Sequence, residues 1–226
     1  MTEPILFRWP PNAALGRTIP KTKFYEQGNV RAALREKFVD DIQRITWTYK
    51  LAEDTIRLRG TTAVPEIQVF TIESKGADVS DDVLTAIDRS VHFPIIFEVT
   101  NQGRVRTAGA QKTLHGKTPT IGAYFTTTWQ PADAPRRLLP TALDLPSLYE
   151  AILASLLPVE KRVGESVSAA TKRLDRARKL QREIAALERK LRTEPQLNRK
   201  IELRRQLTEC TAALSELTDP VASNKE

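Results

Sequence analysis

Two rows of apolar residues near the end of the chain constrain its fold more than any other feature. The rows are Ala177, Leu180, Ile184, Leu187 and Leu191, and then Leu203, Leu207, Cys210, Leu214 and Leu217. Alternating spacings of three and four residues place each row on one stripe of an α-helix. Pro195 lies between the rows, and proline ends a helix because it has no backbone N–H to donate. Residues 159–218 are therefore predicted to form an antiparallel helical hairpin, and Pro195 disfavours one long coiled coil with another chain. Residues 219–226 are predicted to be a flexible tail.

The preceding residues, 1–157, mix helical and strand patterns and predict an α+β domain in which helices flank a mixed sheet. The predicted helices cover residues 30–46, 81–91 and 145–156, and the predicted strands cover residues 55–58, 66–73, 93–99, 104–111 and 121–129. The strongest strand pattern is residues 66–73, where β-branched and aromatic residues dominate. Prolines and glycines punctuate residues 1–30, which predicts an extended arm with turns.

The positive charge of the chain is concentrated in the predicted hairpin. The 226 residues carry a formal net charge of +7. Residues 160–218 contain 15 lysines and arginines against 9 aspartates and glutamates. A basic appendage on a nearly neutral domain favours a polyanion or an acidic protein as its partner. The alternative is an ordinary solvated helix surface with no partner.

Several classes of protein are disfavoured by the sequence. The chain has no run of 18 apolar residues, so neither a transmembrane helix nor a membrane partner is expected. Its start lacks the basic and then apolar pattern of a secretory signal. Cys210 is the only cysteine, which fits a reducing, cytoplasmic setting. No Walker loop or glycine-rich dinucleotide turn is present, so a nucleotide-driven motor is not expected.

One set of residues has the spacing of a PD-(D/E)xK nuclease site. Asp54 lies near the start of a predicted strand, and Glu73 and Lys75 follow at the end of the strongest one. In such a site two carboxylates hold Mg²⁺ near the scissile phosphate, and the lysine orients water or stabilises developing charge. Asp54 lacks the preceding proline of that motif, and an acid followed two residues later by lysine is common. A surface ion pair at the strand end is the alternative, and no cofactor is expected outside the nuclease hypothesis.

Three basic surfaces are candidates for binding nucleic acid or a protein partner. The first is the N-terminal arm, where cations lie beside rings that could stack on a base: Lys21, Lys23, Phe24 and Tyr25. The second is the outer face of the first hairpin helix: Lys172, Arg173, Arg176, Lys179, Arg182, Arg189 and Lys190. The third is the hairpin tip and return helix: Arg192, Arg199, Lys200, Arg204 and Arg205. Contacts from such side chains to phosphates would be independent of sequence and sensitive to salt.

Short motifs along the chain resemble an uncharacterised bacterial family named only as a domain of unknown function. They are residues 19–25, 45–51, 66–70, 148–150 and 194–200. Members of that family are encoded beside helicases and DNA methyltransferases in restriction-like or phage-defence gene sets. The resemblance implies a setting directed at DNA and a helicase or methyltransferase subunit as partner, but no catalytic residues.

Three functional hypotheses follow from the residues and the resemblance together. The preferred one is an accessory subunit of a bacterial DNA restriction or phage-defence assembly that binds DNA, a protein or both. The alternatives are the Mg²⁺-dependent nuclease that uses Asp54, Glu73 and Lys75, and a purely structural scaffold.

Overall fold

The chain divides into two compact units, Met1–Pro158 and Val159–Glu226. The structure is a computed structural model that describes residues 5–26, 31–115, 118–158, 162 and 164–218. The predicted tail, residues 219–226, lies outside the described residues. Within these residues, no helix has both the length and the apolar composition needed to cross a bilayer.

The first unit is built around a mixed sheet. Its strands are β1 (Leu6–Phe7), β2 (Ala14–Ile19), β3 (Ile42–Ala52), β4 (Glu66–Ser74), β5 (Ile95–Asn101), β6 (Arg104–His115), β7 (Thr118–Thr126), β8 (Gln130–Pro131) and β9 (Arg136–Arg137). Its helices are α1 (Thr22–Glu26), α2 (Ala32–Asp41), α3 (Glu53–Ile56), α4 (Asp81–Ser90) and α5 (Leu145–Leu156), with a 3-10 turn at Pro11–Ala13. The second unit contains α6 (Val167–Thr193) and α7 (Leu197–Thr218), which pack against each other.

The order of strands in the main sheet is β2-β3-β4-β5-β6-β7, with β8 paired to β6. The pair β4 and β5 is parallel and is connected through α4, whereas the other neighbours along this path are antiparallel. The short strands β1 and β9 pair separately. The predicted fold class, a mixed sheet with flanking helices and a C-terminal pair of packed helices, is therefore confirmed.

Side-chain alternation along the central strands gives the sheet two apolar faces. On one face, Phe70 and Phe97 meet edge to face and join the buried residues of α2 and α4 in one core. On the other face, α5 packs over β6 at Gly109. A Cβ at Gly109 would come within 2.8 Å of Leu153 on α5. The neighbouring atoms are the ends of the Leu153, Leu156 and Ile96 side chains, so a larger residue at this position would require those side chains to shift.

The predicted helix over residues 30–46 was too long at its C-terminal end. Helix α2 ends at Asp41, and Ile42 and Ile45 belong to β3. A bulge between Ile42 and Arg44 shifts the alternation of β3, so Ile42 and Ile45 both point into the core. The bulge thus produces an apolar spacing of three residues, which imitates a helical stripe.

Two further predictions near the N-terminus are corrected. Residues 55–58 were predicted to form a strand, but Glu53–Ile56 is the short helix α3, which ends at Arg57 with a φ of 59°. Within the described residues 5–26, the chain is more ordered than an extended arm, because β2 forms the edge of the main sheet. Trp9 is also fixed, since its Nε1 donates to Glu98 Oε1 at 2.8 Å.

Several other elements of the first unit follow the sequence closely. Strand β4 occupies the strongest predicted strand, and α4 follows Ser80 as predicted. The predicted turn between β5 and β6 has positive φ at both Gln102 and Gly103. That conformation matches the right-handed twist of the two paired strands.

A buried ion pair connects the end of α4 to the sheet. Lys112 on β6 and Asp88 on α4 each expose about 1% of their side chains, and Lys112 Nζ lies 3.0 Å from Asp88 Oδ1. Lys112 Nζ also donates to the backbone carbonyls of Asp88, Val91 and Phe93. Tyr124 Oη donates to Asp88 Oδ2 at 2.9 Å. A cation at this position satisfies carbonyl groups at the C-terminal end of α4.

Burial and charge oppose each other in this pair. Burial lowers the pKa of Lys112, and the attraction of Asp88 raises it in return. Burial raises the pKa of Asp88, and Lys112 opposes that shift. Each group therefore depends on the other, because either charge alone would be left in an apolar environment.

The first prediction concerns the stability of the first unit, Met1–Pro158, which is the globular unit of the chain. Lys112→Met should lower the free energy of unfolding by about 3–5 kcal/mol, because Asp88 loses its buried counterion. Denaturant unfolding of the full chain measures this change. The control is Lys50→Met, which breaks the exposed pair between Lys50 and Asp54 and should cost less than about 1 kcal/mol. Equal effects of the two substitutions would contradict the role given to Lys112.

Candidate binding surfaces

The predicted nuclease residues do not come together. In the register of β3 and β4, Arg44 faces Glu73 at one end and Ala52 faces Glu66 at the other. Seven residues of strand separate Glu66 from Glu73, which is roughly 23 Å, and Asp54 lies beyond Ala52. A single Mg²⁺, whose oxygen ligands lie about 2.1 Å away, cannot bridge that distance.

Asp54 and Glu73 instead make separate surface ion pairs. Asp54 Oδ2 lies 3.0 Å from Lys50 Nζ, and Glu73 pairs with Arg44 on the neighbouring strand. Both carboxylates thus form surface ion pairs, as the alternative to the nuclease hypothesis expects. Among the described residues, no group of three histidines, cysteines, aspartates or glutamates is arranged to hold a metal ion.

Lys75 and Lys21 have a structural role at the C-terminal end of α2. Lys75 Nζ donates to the carbonyl of Val39, and Lys21 Nζ donates to the carbonyl of Ile42, each at 2.7 Å. Partial burial and, to a smaller extent, the nearby charge of Lys75 lower the pKa of Lys21. Cations at this position complement the negative end of the helix dipole. Neither lysine is therefore arranged as a catalytic group.

A polar groove at the carboxyl end of β4 contains the carboxylates Asp41 and Asp78. Asp41 Oδ2 accepts hydrogen bonds from Ser80 N and Oγ. Asp78 Oδ1 accepts from Arg106 Nε at 2.8 Å, and Arg106 also donates to Thr126 Oγ1. The groups in this groove thus hold the loop between β4 and α4 in place.

A cleft of about 430 Å³ lies beside the edge strand β2. Its lining residues come from β2, α1, β3, β4 and the segment after α4: Arg17, Thr18, Ile19, Pro20, Lys23, Phe24, Trp47, Gln68, Phe70, Ser90, Val91, His92 and Phe93. Trp47 and Phe93 are partly exposed, whereas Phe24 and Phe70 are buried behind them. The cleft therefore combines partly accessible rings with two exposed cations, Arg17 and Lys23.

The predicted N-terminal arm contributes to this cleft only in part. Lys23 and Phe24 line it, Lys21 supports α2, and the side chain of Tyr25 lies outside the described residues. Sequence reasoning missed Arg17, Gln68 and Phe93, because the pairing of distant segments brings them together.

The seam between the hairpin helices α6 and α7 is apolar and only partly covered. Ala177 and Leu187 are buried, at 6% and 8% exposure. The other seam residues are half-buried: Leu180, Ile184, Leu191, Leu203, Leu207, Cys210, Leu214 and Leu217. In a hairpin of two helices, each apolar row is covered only by the facing helix, so the flanks of the seam remain accessible.

An ion pair closes the base of the hairpin. Glu165 Oε1 accepts from Arg173 Nε at 2.8 Å. Arg173 Nη1 and Arg162 Nη2 donate to the carbonyls of Leu217 and Glu216, near the end of α7. Arg173 thereby lowers the pKa of the Glu165 carboxyl to about 2. This clamp fixes the first turns of α6 against the last turn of α7.

The basic residues of the hairpin fall into paired and unpaired groups. Arg205 lies 2.9 Å from Glu202 and 3.2 Å from Glu209, and Arg199 lies 3.5 Å from Glu194. Other exposed cations have no carboxylate within 4.0 Å among the described residues: Lys172, Arg176, Arg178, Lys179, Arg182, Arg189, Lys190, Arg192 and Arg204. Of the predicted tip residues, Arg192 and Arg204 are thus exposed and unpaired, and Lys200 is half-buried.

The second prediction follows from the clamp at the hairpin base. The pKa of Glu165 falls to about 2 on folding, whereas an unperturbed glutamate has a pKa of about 4.3. A depressed pKa stabilises the fold above about pH 4.3, and the stabilisation is lost as the pH falls towards 2. Glu165→Gln should therefore lower the thermal stability of the helical signal at pH 7, and the difference from wild type should vanish near pH 2. A difference that does not change with pH would contradict the ionic origin of the clamp.

Comparison with known proteins places the chain in a family. Neither the curated proteins nor the solved structures contain a significant match. The family model described as "Domain of unknown function (DUF4391)" matches residues 7–214, which cover most of both compact units. The chain therefore belongs to the DUF4391 family.

Proposed function

We propose that this protein is an accessory subunit that binds DNA through the outer face of α6, within a bacterial restriction or phage-defence assembly. A helicase or a DNA methyltransferase is the proposed partner subunit. The observation that carries the proposal is the row of exposed cations on α6 that have no carboxylate partner among the described residues. Contacts from this row would be to phosphates, so binding would be independent of sequence.

The spacing of the α6 cations supports contact with an extended polyanion. Arg178, Arg182 and Arg189 lie within about 40° of one another around the helix, away from the seam positions. At 1.5 Å per residue, they span about 16 Å along the axis. Duplex DNA carries one charge per about 1.7 Å of its axis, so several phosphates lie within this length.

The positions of the carboxylates favour a binding role over the nuclease alternative. A PD-(D/E)xK site needs both acids at one metal ion, and Asp54 and Glu73 lie at opposite ends of the β3–β4 ladder. Lys75 donates to a helix carbonyl instead of lying beside Asp54. An accessory subunit needs no such convergence.

A purely structural scaffold is the second candidate, and exposed apolar residues on the hairpin favour it. Leu197 and Ile201, at the start of α7, are 71% and 58% exposed. They lie on the side of α7 away from the seam, and they offer an apolar surface to a helix of a partner protein. In that case the hairpin would dock onto the partner and its cations would remain in solvent.

The third prediction separates these two candidates. In the full chain, replacing Arg178, Arg182 and Arg189 by glutamine should weaken duplex binding and flatten its dependence on salt. The slope of log K against log salt is negative, and each lost phosphate contact reduces its magnitude by about 0.9. The magnitude for the triple variant should therefore be smaller than that for wild type by up to about 2.7. Fluorescence anisotropy of a labelled duplex at several salt concentrations measures both effects.

The matched control for this experiment is Arg205→Gln. Arg205 is paired with Glu202 and Glu209, so it should contribute less than one contact to the slope. An unchanged affinity and slope in the triple variant would contradict DNA binding by α6. The scaffold would be supported by two results together. Wild type would not bind the duplex, and a variant with Leu197 and Ile201 changed to serine would no longer bind a helicase or methyltransferase partner.

A further inference from the structure

We infer that the cleft beside β2 binds an unstacked base of single-stranded nucleic acid, with its phosphate at Arg17 and Lys23. This site belongs to the globular unit and does not depend on the basic face of α6. The inference extends the proposed function, because it names a second nucleic-acid contact and the form of strand that makes it.

The rings of the cleft are suited to stacking. Trp47 and Phe93 line the opening and are each partly exposed. The Trp47 ring lies 6.3 Å from that of Phe70, and Trp47 Nε1 donates to the carbonyl of Tyr49 at 2.9 Å. These contacts hold the indole in place, so little side-chain freedom would be lost on binding. Every base has a π face, and stacking on such rings is tolerant of sequence.

The charges around the cleft indicate that its ligand is an anion. Arg17 and Lys23 are exposed, and no carboxylate lies within 4.0 Å of either among the described residues. No aspartate or glutamate lines the cleft in the part of the chain that the structure describes. An aromatic ligand that carries a negative charge matches this lining, and a nucleotide unit has both properties.

A buried amide at the base of the cleft offers polar contact to a base edge. Gln68 is 4% exposed and lines the cleft. Its Nε2 donates to Glu66, whereas its Oε1 accepts no hydrogen bond from the described residues. This oxygen is not one of the buried side-chain atoms that lack a partner, so it keeps access to solvent and is free to accept. The N3–H of a bound thymine, or the amino group of another base, would donate to it. The volume of the cleft lies within the range of small-molecule sites.

The segment carrying Phe93 is held in place before any ligand arrives. Lys112 Nζ donates to the carbonyls of Val91 and Phe93, the two residues that flank His92. This wall of the cleft is therefore tied to the buried pair with Asp88. A preorganised wall reduces the entropic cost of binding.

The experiment measures binding of a labelled oligothymidylate of roughly ten nucleotides, within the site sizes of single-strand binding folds. An oligonucleotide of the same length with abasic sites carries the same phosphates but no bases. Wild type should prefer the oligothymidylate over the abasic strand by at least about fivefold, which is the lower range for one stacked base. Phe93→Ser should abolish this preference, and Arg17→Gln should weaken binding of the oligothymidylate.

The variant Lys50→Gln is the control, because it removes the same charge at a residue that does not line the cleft. Arg17 is exposed on an edge strand, so Arg17→Gln keeps the test valid if Phe93→Ser fails to fold. Equal binding of the two oligonucleotides by wild type would overturn the inference. Stronger competition by an oligoglutamate peptide than by the oligothymidylate, lost in Arg17→Gln, would assign the cleft to an acidic protein instead.

The two proposals fail in distinguishable ways. Substitutions on α6 should lower affinity for both oligonucleotides alike, since they remove phosphate contacts only. The ratio between the oligonucleotides should then remain as in wild type. If wild type prefers the oligothymidylate over the abasic strand but the α6 variants bind both with wild-type affinity, the proposed function is overturned and the cleft inference is supported.

Discussion

The buried pair of Lys112 and Asp88 connects the fold of the globular unit to its candidate binding site. Lys112 extends from β6 to the end of α4 and satisfies three backbone carbonyls there. Through those contacts it fixes the segment that leads from α4 into β5. Because β5 is the parallel partner of β4, the same contacts fix the crossover on which the order of the sheet depends.

The location of the cleft follows from this arrangement. Ligands of open α/β sheets usually bind at the carboxyl ends of parallel strands. In this protein, the groove at that end is lined by Asp41, Asp78 and Arg106, whose hydrogen bonds hold the loop between β4 and α4. Among the described residues, no aromatic pair comparable to Trp47 and Phe93 lines it. The cleft with partly exposed rings lies instead near the start of β5, where Lys112 holds the backbone and β2 leaves an open sheet edge.

The sequence predicted elements whose patterns are local, and it failed where distant segments decide the structure. The hairpin helices, β4 and the turn at Gln102 and Gly103 follow from spacing and turn chemistry. The start of β3 did not, because a bulge gave Ile42 and Ile45 a helical spacing. The nuclease hypothesis relied on the linear gap between Asp54 and Glu73, but antiparallel pairing places such residues at opposite ends of a ladder.

The same distinction applies to the binding residues. Their charge and aromatic character could be seen in the sequence, but their partners could not. Arg205 looked equivalent to Arg204, yet Arg205 is paired with two glutamates and Arg204 with none among the described residues. Lys21 and Lys23 are separated by one residue, yet one supports a helix end and the other lines the cleft.

Photocrosslinking tests the central claim, binding of nucleic acid by the globular unit as well as by the hairpin, most directly. A single-stranded oligonucleotide containing 5-iodouracil is irradiated with the full chain, and the crosslinked residues are identified by mass spectrometry. Halogenated uracil reacts with rings stacked on it, so the account predicts crosslinks at Phe93 or Trp47. Crosslinks confined to residues of α6 and α7, or the absence of crosslinks, would contradict a base-binding cleft.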